Sequence, residues 1–160
     1  YEDLQDPYGK RFWPKFKGRD GSRTPMPWVA DQQNGGFSDA RPWLPVAMEH
    51  LERAVSVQDR EPDSTLAFYR QMIAFRKAHR VLQKGDMRIV DAEDGYLSLI
   101  REHEGVRLFC AFNLSNGARP VDFPPGEWRI DRGAPFKCKT DDRGTVLPPW
   151  QACFALAESG

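Results

Sequence analysis

The sequence predicts an α+β chain: an ordered but irregular head, then an amphipathic helix, then a small antiparallel β-sandwich. Three observations predict it. Proline and aromatic residues crowd the first 45 positions. Apolar side chains then recur every three or four residues between Thr65 and Arg80. After Asp86, short runs of alternating polarity are divided by Asp-Gly, Glu-Gly and Asn-Gly pairs. The 160 residues are 40 % hydrophobic and 29 % charged, a globular composition of about one domain's length.

The head, Tyr1 to about Pro45, holds six prolines, five glycines and eight aromatics, Trp13, Trp28 and Trp43 among them. Proline at that density excludes long helices and central strands. Aromatics at that density exclude a floppy linker, because they need a surface to pack against. An ordered loop of this length is uncommon and usually functional.

Ala47 to Val55 can form a short helix. Pro62 closes what precedes, and Asp63 or Ser64 can accept the free amides of a new first turn. From Thr65 to about Arg80, Phe68, Met72 and Phe75, with Leu66, Tyr69 and Ile73, make a broad apolar face. Arg76, Lys77, His79 and Arg80 place positive charge at its C-terminal end, where the helix dipole favours it, and Gly85 ends the segment.

The tail reads as antiparallel strands at Arg88–Val90, Tyr96–Arg101 and Val106–Asn113, with shorter ones near Glu127–Ile130 and Gln151–Ala157. Leu97 and Leu99 alternate with Ser98, and Leu108, Cys110 and Phe112 share a face. Cysteine is an odd count of three. Cys110 and Cys153 sit in apolar runs and read as buried small hydrophobes. With no C-x-x-C pair and no His near a Cys, no zinc spacing appears. Free thiols fit a reducing, cytoplasmic compartment.

Lys plus Arg is 23 and Asp plus Glu is 23, which removes the electrostatic case for a nucleic-acid or anionic-membrane partner. No apolar run reaches the roughly 18–20 residues that span a bilayer. The chain starts at Tyr1 rather than Met, so it reads as a fragment whose targeting segment, if any, lies outside it. A G-x-S-x-G elbow, a P-loop and an H-E-x-x-H helix are all absent, and no cofactor or metal is expected. Asn113-Leu114-Ser115 matches a glycosylation sequon, but so short a match arises by chance. Asp141-Asp142 and Glu93-Asp94 read as solvated turns. His50 reads as a packed or capping side chain, His79 as structural and His103 as exposed.

One stretch stands out: Gly18-Arg19-Asp20-Gly21-Ser22-Arg23-Thr24-Pro25-Met26-Pro27-Trp28. Two arginines four apart flank an acid. Asp20 can lock an Arg by a charge-assisted hydrogen bond, Pro25 and Pro27 stiffen the exit, and Trp28 anchors it. Such a loop can present a planar guanidinium to sugar hydroxyls or a carboxylate.

This stretch resembles the R-D-x-x-R-T-P-M-x-W signature of the α-glucosidase and oligo-1,6-glucosidase branch of glycoside hydrolase family 13, the α-amylase family. Leu4 to Gly9, Phe12-Trp13-Pro14, Gly36-Phe37-Ser38, Trp43-Leu44-Pro45 and Val57-Gln58…Ser64 are similar to that branch too. Tyr69 to Arg76 resembles the family's last barrel helix. The resemblance implies the end of a (β/α)₈ barrel followed by an antiparallel β-sandwich C-terminal domain. Residues 1–82 are then the barrel's eighth βα loop and last helix, and residues 83–160 the sandwich. Sites of such barrels lie on these loops.

The resemblance also implies a parent that hydrolyses α-glucosidic bonds with retention, using two carboxylates about 5–5.5 Å apart. The motifs that carry the family's nucleophile, acid/base and stabilising carboxylates are missing, so no catalytic residue is assigned and the fragment alone is expected to be inactive. What carries over is substrate binding: Arg19 reaching the non-reducing glucose, Asp20 orienting it, Arg23 second. The α-glucoside partner would be met through the missing barrel. Oligo-1,6-glucosidase, sucrose isomerase and trehalose-forming relatives share the signature. A different reading is a non-catalytic carbohydrate-binding or structural sandwich, with Tyr96, Trp128 and Trp150 as its candidate aromatics.

Overall fold

The computed structural model describes residues 2–157. The chain divides into two compact units between Phe68 and Tyr69. In the first, regular structure is confined to short pieces, as the prolines dictate. Helix α1 is Pro7–Phe12, with Asp6 as its N-cap accepting the Tyr8 amide and Pro7 at the first helical position, where its missing N–H costs nothing. Asp20–Ser22 and Gln33–Gly36 are 3₁₀ turns.

The single helix expected over Ala47–Val55 is two, α2 at Met48–Leu51 and α3 at Val55–Gln58. The break has a cause. Ala54 is extended (φ −56°, ψ 151°), because the next two amides leave the helix: Val55 N–H donates to the Pro27 carbonyl at 3.1 Å and Ser56 N–H to the Trp28 carbonyl at 2.9 Å. These bonds, with Trp28 N–H and Val29 N–H on the Gly35 carbonyl at 2.7 and 2.9 Å, hold the exit of the signature loop by its main chain. The Trp28 indole does not anchor it, being about half exposed. Among the described residues the head's other aromatics also remain uncovered within the unit, from Trp13 at 40 % to Tyr8 at 63 % exposure. Leu44, Ala54 and Pro25 are among the unit's buried apolar residues, while Asp6 and Asp20 are buried with them.

Helix α4 runs Thr65–Ala78. Of the two predicted caps Ser64 is the one used: its hydroxyl accepts the Ala67 amide at 3.1 Å and donates to the Gln58 carbonyl at 2.7 Å. The helix stops short of Arg80. His79 is extended, and a separate helix α5 follows at Arg80–Lys84 before Gly85. The His79 ring explains the break: Nδ1 lies 2.8 Å from the Phe75 carbonyl oxygen and Nε2 lies 2.8 Å from the Asp131 carboxylate. Both neighbours can accept, so the ring bridges the end of the helix and Asp131. Only one stripe of α4 is covered. Phe75 is buried, whereas Tyr69 and Ile73 are exposed.

Among the described residues the second unit holds eight strands in antiparallel pairing: β1 Asp86–Glu93, β2 Tyr96–His103, β3 Val106–Asn113, β4 Arg119–Pro120, β5 Trp128–Ile130, β6 Lys139–Asp141, β7 Gly144–Leu147 and β8 Ala152–Ala157. One sheet has the order β1-β2-β3-β8-β5 and the other β4-β7-β6. Asp94-Gly95 and Glu104-Gly105 make the predicted hairpins; Glu104, Gly95 and Gly105 have positive φ. Leu108, Cys110, Ala152 and Phe154 pack against Phe75 and Val81 on one face of the large sheet. Tyr96, Ile100, Phe109, Ala111 and Cys153 pack with Val121 and Leu147 on the other. Both faces are therefore covered, and Ser98, in the alternating run, is buried too. Fully burying a side chain such as Leu108 or Phe109 contributes about 1.5–3 kcal/mol.

Strands β4, β6 and β7 were not legible, being two to four residues long. Asp141 and Asp142 are exposed, as read from the sequence. Asn113 is fully buried, its Nδ2 donating towards the carbonyls of Gly117, Leu147 and Pro148 at 2.7, 3.2 and 2.9 Å, so the sequon asparagine is closed to modification in the folded chain. All three cysteines are free, with Cys110 and Cys153 buried. Among the described residues no helix is long and apolar enough to cross a membrane.

Candidate functional site

The signature loop is bound to the start of the chain by two carboxylates working in opposite directions. Asp6 Oδ2 accepts the Arg19 amide at 3.0 Å and Arg19 Nε at 3.2 Å, while its Oδ1 accepts the Tyr8 amide. Asp20 Oδ2 in turn accepts the amides of Gln5 at 2.6 Å and Asp6 at 2.9 Å. Residues 5–6 and 19–20 thus close a reciprocal clasp of side chain on backbone. Gly18 makes it possible: its φ is +71°, and a Cβ there would lie 2.7 Å from Asp6 Cγ.

The electrostatics follow. The Arg19 amide foremost, then the Tyr8 amide and the Arg19 guanidinium, hold the Asp6 carboxyl down at about 2 against the opposing effect of burial. A carboxyl so acidic carries no proton near neutral pH and cannot serve as a general acid. Asp20 is buried, and its Oδ1 has no hydrogen-bond partner. Arg23 Nη1 is the nearest cation, 3.9 Å from that oxygen and 3.9 Å from Asp6 Oδ2.

The two arginines differ in consequence. Arg19 is tethered through its side-chain Nε to Asp6, and its side chain is 68 % exposed. Arg23 spans both carboxylates at ion-pair distance and is 36 % exposed. A cavity of about 310 Å³ borders the turn, lined among others by Trp13, Lys17, Asp20, Gly21, Thr24 and Leu44. His50 Nδ1 lies 3.5 Å from Thr24 Oγ1 on the same loop. The indole and the hydroxyl in the cavity's lining are groups that recognise polyols. Among the described residues no group of three or more His, Cys, Asp or Glu side chains is placed to hold a metal ion.

Arg19, Asp20 and Arg23 are therefore together, but the carboxylate that holds Arg19 is Asp6, not Asp20. Adjacent side chains in a tight turn diverge, and Asp20 is turned inward to the amides of residues 5 and 6. Asp6 was missed as a site residue. Its signal was present, since an acid directly before a proline marks a helix cap. A cap, however, does not announce which distant amide its second oxygen will take.

The family described as "Alpha amylase, catalytic domain" matches residues 2–85. The chain is 46 % identical over 155 residues to a protein named Probable alpha-glucosidase from Rhizobium meliloti (strain 1021), a match covering 97 % of this chain and 28 % of the relative. It is 32 % identical over 145 residues to an Oligo-1,6-glucosidase of Heyndrickxia coagulans, covering 89 % of this chain and 25 % of that protein. Among solved structures it is similar to the alpha-glucosyl transfer enzyme XgtA, with a TM-score of 0.83 and 40 % identity, over 99 % of this chain and 30 % of that one. A variant of the trehalulose synthase MutB in complex with the substrate sucrose matches with a TM-score of 0.70 and 26 % identity, over 88 % of this chain and 26 % of that one. The chain spans little more than a quarter of the curated relatives it matches. On the match over residues 2–85 and these relatives, it belongs to the α-amylase family.

Proposed function

We propose that this chain is the C-terminal portion of a retaining α-glucosidase that hydrolyses terminal α-glucosidic bonds in short α-glucosides. In this reading residues 1–82 are the eighth βα loop and last helix of a (β/α)₈ barrel, residues 83–160 are a β-sandwich, and the enzyme works in the cytoplasm. The catalytic carboxylates lie on the part of the enzyme outside this chain, and the chain by itself does not turn over substrate. Its contribution is positioning. Arg19 offers its terminal nitrogens to the hydroxyls of the non-reducing glucose, Arg23 supports the same charge field, and Asp20 sets the turn that carries both. The observation that carries this is the tether of Arg19: one side-chain nitrogen fixed by a buried carboxylate, in a side chain that is largely exposed. A guanidinium held in this way keeps its orientation without losing its donors, and pre-set orientation lowers the barrier as well as strengthening binding.

Changing Arg19 to Ala in the intact enzyme tests the assignment. The expected loss in kcat/KM for maltose-like or isomaltose-like substrates corresponds to about 1–3 kcal/mol, the worth of hydrogen bonds from a charged group. Unchanged kinetics remove Arg19 from the site.

A second reading within the family is glucosyl transfer, in which a sugar hydroxyl rather than water takes the glucosyl group; the similarity to XgtA favours it. Product analysis of one α-glucoside separates the two, free glucose against a new disaccharide. A carbohydrate-binding module finds less support. Tyr96 is buried and Trp128 packs on Phe109, which leaves Trp150 as the exposed member of the three and no row of aromatics.

A further inference from the structure

A second cavity, of about 260 Å³, lies wholly within the unit that begins at Tyr69, far in sequence from the signature loop. Two thiols line it, Cys138 and Cys153, together with two cations, Arg132 and Lys137. Cys153 belongs to the core between Phe109 and Leu147, and Cys138 packs against that same cluster. The segment bearing Cys138 is fixed alongside the start of β8, because the Lys137 amide donates to Gln151 Oε1 at 2.8 Å. Cys138 is half-buried and Cys153 buried. Asp131, the acid in the same lining, is already engaged by His79 and by the Gly133 amide, so the net invitation of the cavity is to an anion.

We propose that Cys138 and Cys153 form an oxidisable dithiol, and that the cavity beside them admits a small anionic disulfide, of the class of oxidised glutathione, as its redox partner. Cys138, the less buried of the two, attacks first. Its thiol gives its proton to solvent, its sulfur forms a bond to one sulfur of the incoming disulfide, the S–S bond of that reagent breaks, and one thiolate leaves and takes up a proton from solvent. Cys153 then attacks the Cys138 sulfur, a second thiolate leaves, and it takes up the proton that Cys153 gives up. Two protein thiols are oxidised to one disulfide and one reagent disulfide is reduced to two thiols. The order of attack follows from environment: burial foremost, then the neighbouring Cys138 sulfur, pushes the Cys153 thiol up to about 12, so it stays protonated until a partner sulfur is delivered beside it. Cys110 takes no part, since it lies on the opposite face of the large sheet.

The test is incubation of the full, natively folded chain with oxidised glutathione, followed by alkylation of free thiols and peptide mapping. The expected result is loss of two alkylatable thiols out of three, a single Cys138–Cys153 linked peptide, and full reversal by a reductant. Cys110→Ser should form the same link, and Cys138→Ser should form none. Three alkylatable thiols after native incubation, a link that includes Cys110, or a link that appears only in urea would each overturn the pairing. The anion preference is read separately. Oxidised glutathione should react several-fold faster than neutral hydroxyethyl disulfide, and that advantage should vanish in the Arg132→Ala, Lys137→Ala double variant. Equal rates on the unaltered chain would overturn the cavity's part in the proposal.

Discussion

Gly18 and Gly21 sit three residues apart in the same loop and should respond oppositely to the same added methyl. At Gly18 the backbone is left-handed, with φ +71°, and a Cβ would meet Asp6 Cγ at 2.7 Å, Asp6 Cβ at 2.8 Å and Asp6 Oδ2 at 3.0 Å. The conformation alone costs an alanine about 1–2 kcal/mol. The contacts add to this, since no real Cβ sits under 3.0 Å from such atoms. Asp6 has little room to yield: both its oxygens are committed to the amides of residues 8 and 19. The strain must therefore be relieved by moving Arg19 off the carboxylate. At Gly21 nothing lies within 4 Å of the added carbon and φ is not positive. There alanine should be neutral, or stabilising by up to about 0.4–1 kcal/mol through a less flexible unfolded chain. Urea unfolding followed by tryptophan fluorescence reports the head through Trp13, Trp28 and Trp43 when Trp128 and Trp150 are replaced by Phe in a common background. Gly18→Ala should lower the midpoint by an amount corresponding to at least about 2 kcal/mol, while Gly21→Ala should leave it in place or raise it. In the intact enzyme the first change should lower kcat/KM and the second should not. If the two variants unfold together, the clasp does not organise this loop and the argument for a pre-set Arg19 fails with it.

Other outcomes follow from the same geometry. Asn113→Asp turns a carboxylate towards three carbonyl oxygens that now accept from Nδ2; it should cost about 3–5 kcal/mol in urea melts at neutral pH, with partial recovery at pH 5 as the introduced carboxyl takes up a proton. His79→Phe removes both ring contacts and takes from the Asp131 carboxylate its imidazole partner; a loss of about 1.5–3 kcal/mol is expected, and a double-mutant cycle with Asp131→Asn should show coupling between the two. Because the folded Asp6 carboxyl is held at about 2 while an unfolded aspartate titrates near 3.9, its contribution to the head is complete above pH 4 and disappears as pH falls towards 2. Acid titration of head fluorescence in the same background should show this loss, and Asp6→Asn should abolish that part of the profile.

The parts of the chain whose signals are local were readable from sequence. The hairpins of the tail announced themselves through Asp94-Gly95 and Glu104-Gly105, because positive φ selects those residues. Helix α4 showed in its periodicity and its Ser64 cap. What failed to show depends on distant partners. The break at His79 needs Asp131, 52 positions later, and the division of α2 from α3 needs carbonyls of Pro27 and Trp28. The same holds at the site. The arginine pair and the turn were legible from the composition of one short segment, whereas the acid that fixes Arg19 lies 13 residues upstream and was hidden behind its evident role as a cap.

The head's interior has a calorimetric consequence. The heat-capacity increment of unfolding tracks apolar area exposed and is lowered by polar area. Here the enclosed residues are Asp6 and Asp20 with little more than Leu44, Ala54 and Pro25, whereas the following unit encloses the aromatic and aliphatic side chains of two packed layers. Melting of the head should therefore leave a nearly flat baseline step and an enthalpy that varies little with temperature, beside a steep step for its neighbour in sequence.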